Sequence, residues 1–167
     1  MSSPRRALWT VAVLALVVAA PRSAHTAQLT EDEAREAAKQ PYANDLGPDA
    51  IDVSAYSPAM QQTYMLFAQR CSRCHTLARA INSQWATAVF WEHYVKRMWR
   101  KPGSQINGSE AKQIWDFLVY DSRVRKLDHR EKFEAFRRRL LEEFRQRDPA
   151  RFQELYSGAE EDAARLW

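Results

Sequence analysis

The sequence predicts an all-α chain of about three short helices followed by a C-terminal helical extension, and two observations carry that expectation. Apolar residues recur three or four apart along Met60/Tyr64/Phe67/Cys71, Trp91/Tyr94/Val95/Met98, Ala111/Ile114/Trp115/Leu118 and Phe133/Phe136/Leu140/Leu141/Phe144. That spacing gathers them on one face of a helix. Helix-starting signals stand at Ser57-Pro58, at Asn107 with Glu110 three residues on, and at Asp148-Pro149. A short polar side chain there can accept the first free amides, and proline fits the first turn because it has no amide to satisfy.

Taken in order, residues 1–27 have the form of a secretory signal: Arg5 and Arg6, an apolar run from Ala7 to Ala20, then Pro21. The run is short for a membrane span. The cleavage point is open between Ala19 and Ala27, and an uncleaved segment would act as a membrane anchor. Residues 28–55 form an N-terminal extension, acidic at Glu31, Asp32 and Glu33 and broken by Pro41, Gly47 and Pro48. The first helix is expected from Ser57-Pro58 to Cys74. A second begins near Asn82 or Ser83, carries the Trp91 stripe with Lys96 and Arg97 facing elsewhere, and is ended by Pro102-Gly103. Asn107 opens the third.

After Asp121 the composition changes, and 123–167 is a charged helical extension with a last helix through Phe152, Leu155 and Tyr156. Its aromatic residues have to bury, either against the preceding domain or as a docking surface for another subunit. Global charge argues against a nucleic-acid role. The chain has 25 Lys+Arg against 21 Asp+Glu, but removal of Arg5, Arg6 and Arg22 with the signal leaves 22 against 21, a net +1.

The most informative stretch is Cys71-Ser72-Arg73-Cys74-His75, two cysteines three apart with a histidine directly after the second. This is the attachment pattern of a c-type haem. The thiols add to the porphyrin vinyl groups, and His75 becomes the proximal iron ligand. A structural zinc site wants about four N or S ligands, whereas Cys71 and Cys74 are the only cysteines. A thioredoxin-like pair needs a strand-then-helix context, and a plain disulfide leaves His75 unexplained. Disulfide and metal readings stand beside the haem reading. Thiol pairs are at home outside the cytoplasm, in line with the signal segment.

With Phe67 ahead of the motif, Trp91, Val95 and Met98 spaced W-x-x-x-V-x-x-M after it, then Pro102-Gly103 and a capped helix ending Ile114-Trp115-Asp116-Phe117-Leu118, the chain resembles small monohaem class I cytochromes c. The resemblance covers about 56–122. It implies a cytochrome c-like domain of about three short helices around one covalent haem c, with Phe67 and Trp91 packing on the haem and Met98 as the distal iron ligand. One departure is that no proline lies between His75 and Met98 to orient the proximal imidazole, which leaves the partner of His75 open. His93 is the rival ligand. It lies two residues from Trp91, about 200° round a helix, and so points away from the Met98 stripe.

A His/Met pair fills both axial positions and favours electron transfer over substrate chemistry. No phosphate loop, activated nucleophile or demanding carboxylate pair is present, so an extracytoplasmic, non-enzymatic one-electron carrier between redox partner proteins is expected. The alternatives are a haem-bearing subunit of a larger oxidoreductase and a five-coordinate haem sensor or peroxidase-like protein. Two basic clusters, Lys96/Arg97/Arg100/Lys101 and Arg123/Arg125/Lys126, flank the helices expected around the haem. They would anchor propionates, steer an acidic partner, or simply form a solvated face.

Overall fold

The computed structural model describes Thr30, Asp32 and residues 41–156; the expected signal segment, most of 28–40 and 157–167 lie outside the described residues. Within them the chain is helical and contains no strand. A 3-10 turn, Ala43–Leu46, is followed by α1 (Pro58–Cys71), the short α2 (Ala78–Ile81), α3 (Ala88–Trp99) and α4 (Gly108–Asp121). A π-helical segment, Ser122–Leu127, then leads into α5 (Arg130–Arg147) and α6 (Pro149–Tyr156).

The helix starts follow the local chemistry. Ser57 Oγ accepts the Met60 amide at 3.3 Å. Asn107 and Glu110 complete a reciprocal capping box, each side chain accepting the other's amide at 3.0 Å. Asp148 Oδ1 accepts the Arg151 amide at 3.0 Å at the head of α6. Two expected boundaries move. The first helix stops at Cys71, with 72–74 forming a turn, and the second begins at Ala88 with Thr87 as its cap, not at Asn82 or Ser83. Those two residues are consumed elsewhere: Asn82 Nδ2 donates to the carbonyls of Asn44 and Pro48 at 3.1 and 3.0 Å, and Ser83 Oγ to that of Ala80 at 2.9 Å. The Ser83 bond is local, and short polar side chains that bond nearby backbone favour loops over helix interiors, while Asn82 is held by the distant N-terminal stretch.

Packing is organised around α4, which lies against both α1 and α3. Phe67 stacks on Phe117 at 5.4 Å between centroids, and Tyr64 leans on both. Phe117 lies outside the single apolar face expected for this helix yet is fully buried, because a helix flanked on two sides buries two faces. Trp91 is fully buried and donates from Nε1 to Ser122 Oγ at 2.8 Å.

The tail packs on the 3-10 turn and the π-helical segment, beside this core. Phe133, Leu140 and Phe144 of α5 are buried, α5 lies on the 3-10 turn, and the Ala43 amide donates to the Tyr156 hydroxyl at 3.2 Å. Gly47 lets the two ends approach, since a Cβ there would collide with Asn82 and press on Phe136. Lys126, expected in a flanking basic cluster, is instead fully buried. Its ammonium donates to the carbonyls of Ser83 at 2.9 Å and Trp85 at 3.0 Å and lies 4.9 Å from the centre of the Trp91 ring. Burial, reinforced by Arg125, holds its pKa well below that of an ordinary lysine.

Lys126→Met should therefore destabilise the chain by about 2–4 kcal/mol in urea unfolding, since it leaves buried carbonyls without a donor. The unfolded chain holds the lysine proton up to about pH 10.5 and the folded chain releases it earlier, so native stability rises with pH in that window. The gap between native chain and variant should widen as the pH rises toward about 10. A constant gap would show that the amine keeps its proton when buried.

Candidate functional site

The last turn of α1 delivers Cys71, and the turn that follows leaves Cys74 exposed and His75 half-buried. Both cysteines are free thiols. Burial, with Cys74 close by, pushes the Cys71 thiol up to about 12. A reactive redox pair depends on a depressed thiol pKa, so this environment is the opposite of a thioredoxin-type site.

His75 is held by its neighbour's backbone. Its Nδ1 lies 2.9 Å from the Thr76 carbonyl. A carbonyl can only accept, so Nδ1 carries the proton and Nε2 keeps its lone pair for a metal. Burial, with Arg79 and Lys101 nearby, pulls the imidazole pKa below the usual value and keeps the ring neutral. Thr76 is anchored in turn by the N-terminal stretch: its Oγ1 donates to Asp45 Oδ1 at 3.0 Å, and Asp45 pairs with Arg79 at 2.8 Å. With no proline between His75 and Met98, the partner of His75 that the sequence left open is the Thr76 carbonyl.

Met98 comes from the last turn of α3, where Trp91, Tyr94 and Val95 of the same stripe are buried and His93 is exposed. His75 and Met98 both line a cavity of about 470 Å³. They also line an adjoining pocket of about 40 Å³, walled by Cys71 and Cys74. The fold thus gathers Cys71, Cys74, His75 and Met98. Phe67 and Trp91 line neither space and pack in the core.

Besides His75, Met98, Arg97 and Lys101, the wall of the larger cavity comes from residues that sequence reasoning did not assign to a site. Trp85 and Tyr94 supply aromatic surface, with ring centroids 4.9 Å apart, and Arg97 lies over both. Arg79, Arg97, Lys101 and Arg137 line it, and no Asp or Glu does. Of the two expected basic clusters, only Arg97 and Lys101 reach it. Arg125 is paired with Asp121 at 2.5 Å, and Lys96, Arg100 and Arg123 are exposed.

No family model, curated protein or solved structure matches the chain. Among the described residues, no group of three His, Cys, Asp or Glu side chains could hold a metal ion by itself, so the zinc reading has no donor set there. No described helix is long and apolar enough to cross a membrane.

Asp45→Asn removes the charge that anchors Arg79 and Thr76 while keeping its shape. It should cost about 1–3 kcal/mol in urea unfolding and speed solvent exchange of the His75 Nδ1 proton in NMR spectra. Asp128→Asn, at an exposed position, should change neither.

Proposed function

We propose that the chain is an extracytoplasmic monohaem c-type cytochrome, a carrier of single electrons between redox partner proteins and not an enzyme. The observation that carries this reading is the convergence of Cys71, Cys74, His75 and Met98 on two adjoining cavities. The residues fit the group. The larger cavity, about 470 Å³, falls within the usual range for cofactor sites. Its aromatic surface suits a flat apolar macrocycle, and Arg97, Lys101 and Arg137, which face it without a carboxylate, suit one that carries two carboxylates.

In this reading Cys71 and Cys74 would hold the porphyrin through thioethers, and His75 Nε2 and the Met98 sulfur would ligate the iron. Bound there, the iron supplies one-electron chemistry, and a methionine sulfur favours its ferrous form. The Thr76 carbonyl orients His75 and keeps its Nδ1 proton in place. Trp85 and Tyr94 exclude water from one wall, which strengthens the influence of nearby charge on the redox centre. The exposed Cys74 marks the edge at which a partner would exchange electrons. The extracytoplasmic location rests on the signal-like sequence of residues 1–27, and a cytochrome c-like arrangement would be built from α1, α3 and α4 with the attachment motif just after α1.

Replacing Cys71 and Cys74 together by alanine should abolish covalent haem, checked by mass spectrometry and haem staining of the denatured chain. Haem retained in that variant would end the proposal. Met98→Ala should keep the haem but open its sixth position, so that carbon monoxide binds and the midpoint potential falls. His93→Ala should leave the optical spectrum unchanged; if it alone converts the spectrum, the iron is ligated by two histidines.

A further inference from the structure

We propose that Tyr94 and Arg137 form the site that receives the carboxylates of the porphyrin, which makes the C-terminal helix α5 part of the cofactor site. The inference rests on the haem reading above and assigns it two residues outside the attachment motif and the axial pair. Tyr94 is 5% exposed and lines the larger cavity, yet its hydroxyl has no hydrogen-bond partner. Arg137 Nε, on the opposite side of the sequence, is likewise buried without a partner and lines the same cavity. A buried polar atom left unpaired costs about 1–3 kcal/mol, so native chains rarely leave two on one cavity unless something else satisfies them.

The chemistry of the missing partner is set by charge. Both orphan atoms are donors toward an oxygen acceptor, and no acidic side chain lines the cavity to receive them. Asp45 compensates Arg79, but Arg97, Lys101 and Arg137 face the space without a carboxylate. The two carboxylates of the porphyrin would satisfy the hydroxyl and the guanidinium through charge-assisted bonds, stronger than those to a neutral acceptor. Arg137 also lines a second cleft of about 760 Å³ between α5 and α6, so it stands where the larger cavity meets the tail. Phe133, Leu140 and Phe144 are buried on the same helix and hold Arg137 in register.

The test uses the full-length holoprotein and reads the propionate bending band in its resonance Raman spectrum together with the midpoint potential. Tyr94→Phe and Arg137→Leu should each shift the band to lower frequency, since a donor to the carboxylate is gone. Arg137→Leu should also lower the potential, because a cation near the iron favours the ferrous state. Arg139→Leu removes the same charge from an exposed position on the same helix and should do neither. Should Arg137→Leu fail to accumulate, Arg137→Lys replaces it, with a smaller shift of the band in the same direction. An unchanged band in Tyr94→Phe and in the Arg137 variant overturns the inference while leaving the covalent haem and the functional proposal standing. Native chain without covalent haem overturns both.

Discussion

The buried ammonium of Lys126 is where the elements that shape the cavity meet. It holds the loop after α2 through the carbonyls of Ala80, Ser83 and Trp85 and lies between the rings of Trp91 and Phe133. Trp85, fixed by that contact, becomes a cavity wall. Trp91, bonded to Ser122 beside the same segment, fixes the roll of α3 and hence the direction of Tyr94 and Met98. The π-helical turn makes this possible. An extra residue in the turn shifts the side-chain register relative to an α-helix, and such bulges are common at functional sites.

A second set of contacts comes from the N-terminal stretch. Asp45 reaches Thr76 and Arg79, and Asn82 ties its own loop to Asn44 and Pro48. The imidazole of His75 is therefore oriented by backbone that segments well before the motif keep in place. The Arg79–Asp45 pair is partly buried, where a hydrogen bond to a charged group is worth more than at the surface; the Asn82 bonds are partly buried too, while the Thr76–Asp45 bond is exposed. The segments outside 56–122 thus act on the site from both sides, through Asp45 from one end and Arg137 from the other.

The electrostatics of the cavity follow from that enclosure. Basic residues exposed on a helix cost little, but Lys101 is partly buried, and burial together with Arg97 pulls its pKa below the ordinary lysine value. Cations held near one another in a half-buried space without acidic partners repel, and an anionic ligand relieves the repulsion. In the cytochrome reading, the same cations raise the tendency of the iron to accept an electron.

What the sequence determined by itself was chemistry that acts within a turn or two of the chain. The capping box of Asn107 and Glu110, the proline starts of α1 and α6, the stripe from Trp91 to Met98 with His93 turned outward, and the Cys71-Cys74-His75 spacing were all legible, because each depends on neighbours three or four residues apart. The start of α3 was misplaced because Asn82 and Ser83 look like caps, whereas the Asn82 side chain bonds the distant carbonyls of Asn44 and Pro48 and Ser83 Oγ bonds that of Ala80. Only the tertiary structure decided that Lys126 is interior, that Phe117 is core, that Asp45 steadies the partner of His75, and that Arg137 lines the cavity. Burial of a polar side chain depends on donors and acceptors brought in from far along the chain, and no local periodicity records where they will come from.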